Sequence, residues 1–193
     1  MSARCRWSCL TSEEKRLFTV GHSTRTISDF VEILRRERVD LVVDVRTVPR
    51  SRTNPQYNFD VLPDELIVSD IGYERISELG GLRSRSRTVP PEVNGFWENQ
   101  SFHNYADYAL SDEFAHGLER LIALASKQSA AIMCAEAVWW RCHRRIIADY
   151  LMLVGWNVIH LMGGDRTEPA RLTYAARKRD GQLVYPAPHP ATA

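Results

Sequence analysis

SAAIMCAEAVWWRCHRRIIADYLML, residues 129–153, is the stretch whose reading decides the fold. Its apolar run Ala130, Ala131, Ile132 and Met133 stops abruptly at Cys134, Ala135 and Glu136. Cys142, His143 and Arg144 follow, and from there Ile146, Ile147, Tyr150 and Leu151 recur at helical spacing. The pattern predicts a buried strand, a short loop and the first turn of a helix. In open α/β sheets the carboxyl ends of such strands are where ligands sit. Two thiols, a carboxylate, an imidazole and two guanidiniums within eleven residues are too reactive a set for a mere turn.

The same alternation extends outward in both directions. Residues 17–20, LFTV, form a first strand that ends in Gly21, His22, Ser23, Thr24 and Arg25. Thr26 then stands as N-cap before Ile27, Phe30, Val31 and Leu34 on one helical face. LVVDV, residues 41–45, is near-continuous in apolar residues, as parallel strands covered on both faces are. A proline-broken, arginine-bearing loop follows, then a short helix over residues 60–69 with Pro63 in its first turn, and a weak strand over 72–76. Residues 79–101 read as a long surface loop. Ser111 caps a strong amphipathic helix bearing Phe114, Leu118, Leu121, Ile122 and Ala125. Beyond the central stretch, Gly155 stops the helix, residues 156–162 form the last core strand, and a further helix is expected in the remainder up to Lys178.

Alternating strands and helices with short connections predict a three-layer α/β sandwich with a mostly parallel, Rossmann-like central sheet and helices on both faces. The loops after the main strands then open on one edge. The candidate catalytic residues gathered there are Cys142, Cys134, Glu136 and His22. The candidate substrate-binding residues are Ser23, Arg25, Asp44, Arg46, His143 and Arg144.

With 193 residues, 44% hydrophobic and 25% charged, the chain suits one globular domain. Its expected bounds are residues 16–180, between a flexible N-terminal tail (1–15) and a C-terminal tail (181–193). The net charge of +1 argues against a bulk polyanion binder and leaves any basic function to local patches. Four cysteines without dense spacing fit a reduced, cytoplasmic setting rather than a disulfide scaffold. The first residues lack the apolar core of a signal peptide, and no apolar run approaches the length of a membrane span.

GHSTR (21–25), VDVRTVPRSRTNPQYN (43–58), ELGG (78–81), NYADYA (104–109) and MCAEAVWWRCHRRIIADYL (133–151) together resemble the family catalogued as domain of unknown function 488. The resemblance runs from about Leu17 to about Leu161. It implies a small α/β fold with a suspected enzymatic site on the CAE and CHR segments, and no established substrate. Many relatives have a shorter or proline-bearing spacer between those segments, whereas this chain has Trp139 and Trp140.

Three chemistries compete for the site, and none of the motifs specifies a cofactor. A cysteine at a helix N-terminus beside arginines is biased to the thiolate, which favours Cys142 as nucleophile of an enzyme acting on a small anionic substrate. On that reading, with Cys134 as the other candidate nucleophile, Arg46, Arg25 and Arg144 hold the anion, and Glu136 or His22 moves the proton. His143 reads as a poor base, because consecutive residues of a helix point about 100° apart. Tyrosine-phosphatase spacing fails from both thiols: Trp140 and Ala148 stand where the arginine is needed. CxxC spacing fails too, with seven residues between Cys134 and Cys142. In the second reading Arg46, Arg50, Arg52, Arg83, Arg85 and Arg87 with nearby aromatics bind nucleotides or nucleic acid without catalysis. In the third, Cys134, Cys142, His143 and His22 hold a soft metal, although their spacing matches no strong zinc motif.

Overall fold

The computed structural model describes residues 15–187. β1 (Arg16–Gly21) is buried from its second residue onward, and α1 (Ile27–Arg36) starts where the Thr26 hydroxyl accepts the Asp29 N–H at 3.1 Å. Then come β2 (Leu41–Asp44), α2 (Leu62–Ile67) with Pro63 in its first turn, and β3 (Gly72–Arg75). α3 (Gln100–Tyr108) and α4 (Asp112–Ala125) precede β4 (Ala130–Cys134). α5 (Arg144–Leu153) ends at Gly155, whose φ of +86° suits a residue without Cβ. β5 (Asn157–Gly163), β6 (Arg166–Pro169), β7 (Arg177–Arg179) and β8 (Gln182–Val184) close the chain.

The main sheet has the order β3-β2-β4-β1-β5-β6, with the first five strands parallel and β6 antiparallel at one edge. Period-two alternation sends its apolar side chains into two cores. Val42, Ala131, Met133, Phe18 and Val20 meet α1 and α2 on one face. Val43, Ala130, Ile132, Leu17 and Val158 meet Tyr105, Phe114, Leu121, Ile147 and Leu151 of α3, α4 and α5 on the other. This is the three-layer α/β sandwich that the alternation predicts. In the parallel register Gly21 pairs with Cys134 and Asp44 with Met133, so the loops after β1, β2 and β4 emerge side by side.

The structure departs from expectation in three places. The stretch after β5 holds no helix. Gly163 and Gly164, both at positive φ, turn the chain back into β6, and Asp180–Gly181 makes the tight turn of the β7–β8 hairpin. A domain boundary at residue 180 therefore cuts through a hairpin: Leu183 and Tyr185 are buried, and the Tyr185 hydroxyl bonds Asp149 at 3.0 Å. Finally, residues 79–101 are not a free surface loop, since Leu79, Asn94 and Trp97 are buried within it. Asn99 then caps α3 by accepting the Ser101 and Phe102 N–H groups at 2.9 and 3.4 Å, a start signal that the length of the loop obscured. Among the described residues no helix is long and apolar enough to cross a membrane. Residues 1–14 of the N-terminal tail, with Cys5 and Cys9, and the last six residues lie outside the described residues.

Candidate functional site

Gly21 brings the first two site loops together. A Cβ at this position would sit 1.9 Å from the Glu136 carbonyl oxygen, so only glycine lets the CAE loop lie against the end of β1. His22 and Ser23 extend the contact, donating their N–H groups to the carbonyls of Cys134 (2.9 Å) and Ala135 (3.0 Å). The helix that carries the CHR segment starts one residue later than the motif suggests. Cys142 has extended backbone, φ −127° and ψ 146°, and His143 is the N-cap of α5. The two side chains therefore do not obey the 100° rule of a helix. His143 Nδ1 lies 3.6 Å from Cys142 Sγ and 3.9 Å from Cys134 Sγ.

The tautomer of His143 follows from its other nitrogen. Nε2 lies 3.0 Å from the Val45 carbonyl, which can only accept, so Nε2 carries a proton, and Nδ1 is left facing the sulfurs, able to accept from a thiol or, when protonated, to donate to a thiolate. Gly81 makes room for this ring, because a Cβ there would lie 2.3 Å from Nδ1. The imidazole is thus held between the end of β2 and the ELGG turn, and the sequence reading had dismissed it as a proton carrier.

Arg144 is 1% exposed, and its Nε donates to Cys142 Sγ at 3.3 Å. Its other nitrogens donate to the Glu136 carbonyl (2.5 Å) and the Thr19 hydroxyl (3.5 Å). Among the described residues no carboxylate pairs with it. A buried guanidinium needs a countercharge, and the nearest group able to carry one is the Cys142 sulfur. Burial by itself opposes ionisation of Cys142. The hydrogen bond from Cys134 and the presence of His143 and Arg144 outweigh that penalty and hold its pKa well below the ordinary thiol range. Cys134 moves the other way, pushed up by its hydrogen bond to Cys142, by burial and by the Cys142 charge. The two sulfurs are thus pushed in opposite directions, Cys142 toward the thiolate and Cys134 toward the thiol.

Both sulfurs line a cavity of about 360 Å³ whose walls include Val48, Leu82, Phe102 and Tyr105 and whose charged or titratable groups include Arg46, Glu136, Arg141 and His143. The candidate anion-binding arginines are engaged elsewhere. Arg25 donates to the carbonyls of Gly21 and Met162 and does not line the cavity. Arg46 is neutralised by the fully buried Asp44, at 2.6 Å from Nη2 and 2.9 Å from Nε, and also bonds the Tyr57 carbonyl. Asp44 in turn accepts the Tyr73 hydroxyl at 2.7 Å, so it positions Arg46 and does not line this cavity. Arg141 is exposed, lines the cavity, and makes no ion pair or side-chain hydrogen bond among the described residues. Its guanidinium is the one left free for an anion there. Arg141 is not among the candidate residues read from the sequence, although its place between Trp140 and Cys142 is a visible signal.

His22 stands behind Arg46. Its Nδ1–H donates to the Ser23 carbonyl at 2.9 Å, its Nε2 accepts from Arg46 Nη1 at 3.2 Å, and its ring stacks on Tyr57. It makes no hydrogen bond to either sulfur. Burial lowers its pKa to about 4, so it supports Arg46 as a neutral ring. Ser23, at φ +49°, shapes the turn and is not part of the cavity wall. Glu136 is exposed at the cavity with its carboxylate unpaired among the described residues. Trp139 stacks on His160 at 4.5 Å and donates to Glu168, so it packs over the sheet edge rather than lining the cavity.

Cys134, Cys142 and His143 place three soft donor atoms within 4.8 Å of one another, whereas His22 does not join them. The guanidinium at 3.3 Å from Cys142 Sγ weighs against a divalent ion on that sulfur, by charge and by occupying a lone pair. Three of the six arginines behind the nucleic-acid reading are also committed, Arg46 among them to Asp44. Arg50 pairs with Asp60 at 2.8 Å, and Arg83 lies 3.6 Å over Tyr108 while donating to the Gly80 carbonyl.

Neither the curated proteins nor the solved structures contain a match to this chain. The family model described as Domain of unknown function DUF488 matches residues 26–151, a span that contains α1, β2, β4, both cysteines and most of α5. The sheet edge with its CAE and CHR segments is thus the edge of a DUF488 domain, and the chain belongs to that family.

Proposed function

We propose that the protein is an enzyme in which the Cys142 thiolate attacks an electrophilic atom of a small substrate seated in the cavity at the carboxyl edge of the sheet. The observation that carries this reading is the buried Arg144 guanidinium, 3.3 Å from Cys142 Sγ and without a carboxylate partner among the described residues. A thiolate is the reactive form of cysteine, and a buried cation makes it the resting form. His143 Nδ1, within reach of both sulfurs, takes up and returns a proton. Arg141 holds an acidic group of the substrate, carboxylate or phosphate, while Val48, Leu82 and Phe102 cover its apolar part.

The test is selective alkylation of the native chain at pH 7 with limiting iodoacetamide, followed by peptide mapping. Cys142 is expected to react about ten times faster than a thiol of ordinary pKa. Equal labelling of all cysteines would sink the reading.

A further inference from the structure

The two thiols are far from a CxxC motif in sequence, yet they share one cavity wall and one imidazole and lie within 4.8 Å of one another. Their differences set an order of events. Cys142 rests under Arg144, while Cys134 keeps its proton against Cys142. Cys142 is 3% exposed, so a slim reacting atom reaches it more readily than a folded protein's disulfide. The apolar walls of the cavity suit an organic group on that atom. The joining segment, residues 135–141, is exposed or half-buried throughout and holds a single short turn. It can therefore yield as the sulfurs close from within 4.8 Å to the roughly 2 Å of a bond.

We propose that Cys134 and Cys142 form a redox pair in which Cys142 reduces an organic hydroperoxide and Cys134 resolves the product into an intramolecular disulfide. This rests on the thiolate reading above and adds the substrate class. In the first step Cys142 sulfur attacks the terminal oxygen of the hydroperoxide. The O–O bond breaks, an S–O bond forms to give the sulfenic acid, and the alkoxide leaves as alcohol after taking a proton from water, which leaves hydroxide to the solvent. In the second step His143 Nδ1 takes the proton of Cys134, whose sulfur attacks Cys142. The S–O bond breaks, hydroxide departs with the proton from His143 as water, and a disulfide remains. Two molecules of an external thiol then return both cysteines to the reduced form and are themselves oxidised to a disulfide.

Trypsin cuts after Arg141 and places the two thiols in separate peptides, residues 128–141 and 142–144. The reduced full-length chain is treated with one equivalent of tert-butyl hydroperoxide, capped with N-ethylmaleimide and digested. The expected result is a disulfide joining those two peptides, lost on treatment with dithiothreitol, with tert-butanol formed in equal amount. In Cys134→Ser and Cys134→Ala chains, dimedone is expected to label Cys142 in place of the cross-link. The native chain decides the matter even if both variants misfold. If Cys142 is alkylated selectively by iodoacetamide but peroxide yields only sulfinic acid, or no oxidation at all, the redox pair is overturned and the thiolate reading stands. Slow, unselective alkylation overturns both.

Discussion

The Nε of Arg144 lies 3.3 Å from the sulfur of Cys142, and both side chains are withdrawn from solvent at 1% and 3% exposure. Two groups that each avoid burial when charged are tolerable here because they neutralise one another. The arrangement turns a cysteine at a sheet edge into a candidate nucleophile, and it makes Arg144 the first residue to alter.

Replacing Arg144 with Met removes the countercharge and keeps much of the volume. The iodoacetamide rate of Cys142 at pH 7 is expected to fall about tenfold, one pKa unit being about 1.4 kcal/mol. Arg144→Lys should retain part of the rate, since it keeps the charge and loses the planar fork. An unchanged rate in Arg144→Met would show that the thiolate draws its stabilisation elsewhere.

Arg141 is expected to govern charge preference rather than reactivity. Iodoacetate and iodoacetamide differ mainly in charge, so the ratio of their rates at Cys142 reads the local potential. Arg141→Gln should lower that ratio several-fold and leave the iodoacetamide rate within a factor of about two. A matching fall in both rates would instead mean that the substitution disturbs the thiol itself.

Two glycines separate packing from chemistry. Gly21→Ala drives a Cβ to 1.9 Å from a backbone oxygen, where neither side can yield without moving a strand or its loop. A loss of roughly 2 kcal/mol or more in urea unfolding is expected. Gly81→Ala meets the His143 ring, which is only half-buried and can move. Its expected signature is a smaller stability loss together with slower closure of the Cys134–Cys142 disulfide. Equal effects on both measurements in the two variants would contradict this division.

His22 and His160 are buried and neutral, each with its pKa lowered to about 4, first by desolvation. Arg46 and Arg144 add to the lowering at His22, where Asp44 opposes it, and Arg144 adds to it at His160. The folded state then binds fewer protons than the unfolded state between about pH 4 and 6.5. Stability is therefore complete above pH 6.5 and lost as pH falls toward 4, by roughly 3 kcal/mol for each ring. Asp149, whose carboxyl is pushed up by burial, works with the opposite sign. Urea midpoints measured from pH 7 to 4.5 should fall, and His22→Gln or His160→Gln should flatten the slope. A pH-independent midpoint would refute the assignment.

Much of the architecture was legible without coordinates, because the signals are local. The apolar run 130–133, the continuous LVVD of β2, and the Thr26 and Ser111 caps each report the conformation of their own segment. Parallel strand direction then put Cys134, Cys142, Glu136 and Arg46 on one edge. The C-terminal hairpins were missed although Gly163–Gly164 and Asp180–Gly181 are strong turn signals, because the flanking strands are short, polar and without a clear period. What only the tertiary structure decided is who faces whom. His143 reaches both sulfurs because Cys142 is extended and stands outside the helix, and Arg144 is turned to the Cys142 sulfur with no carboxylate paired to it among the described residues. Arg46 is answered by Asp44, and Arg141 by no ion pair among the described residues. Sequence patterns record how a segment buries its apolar face, whereas charge compensation depends on distances of a few ångströms between segments far apart in the chain.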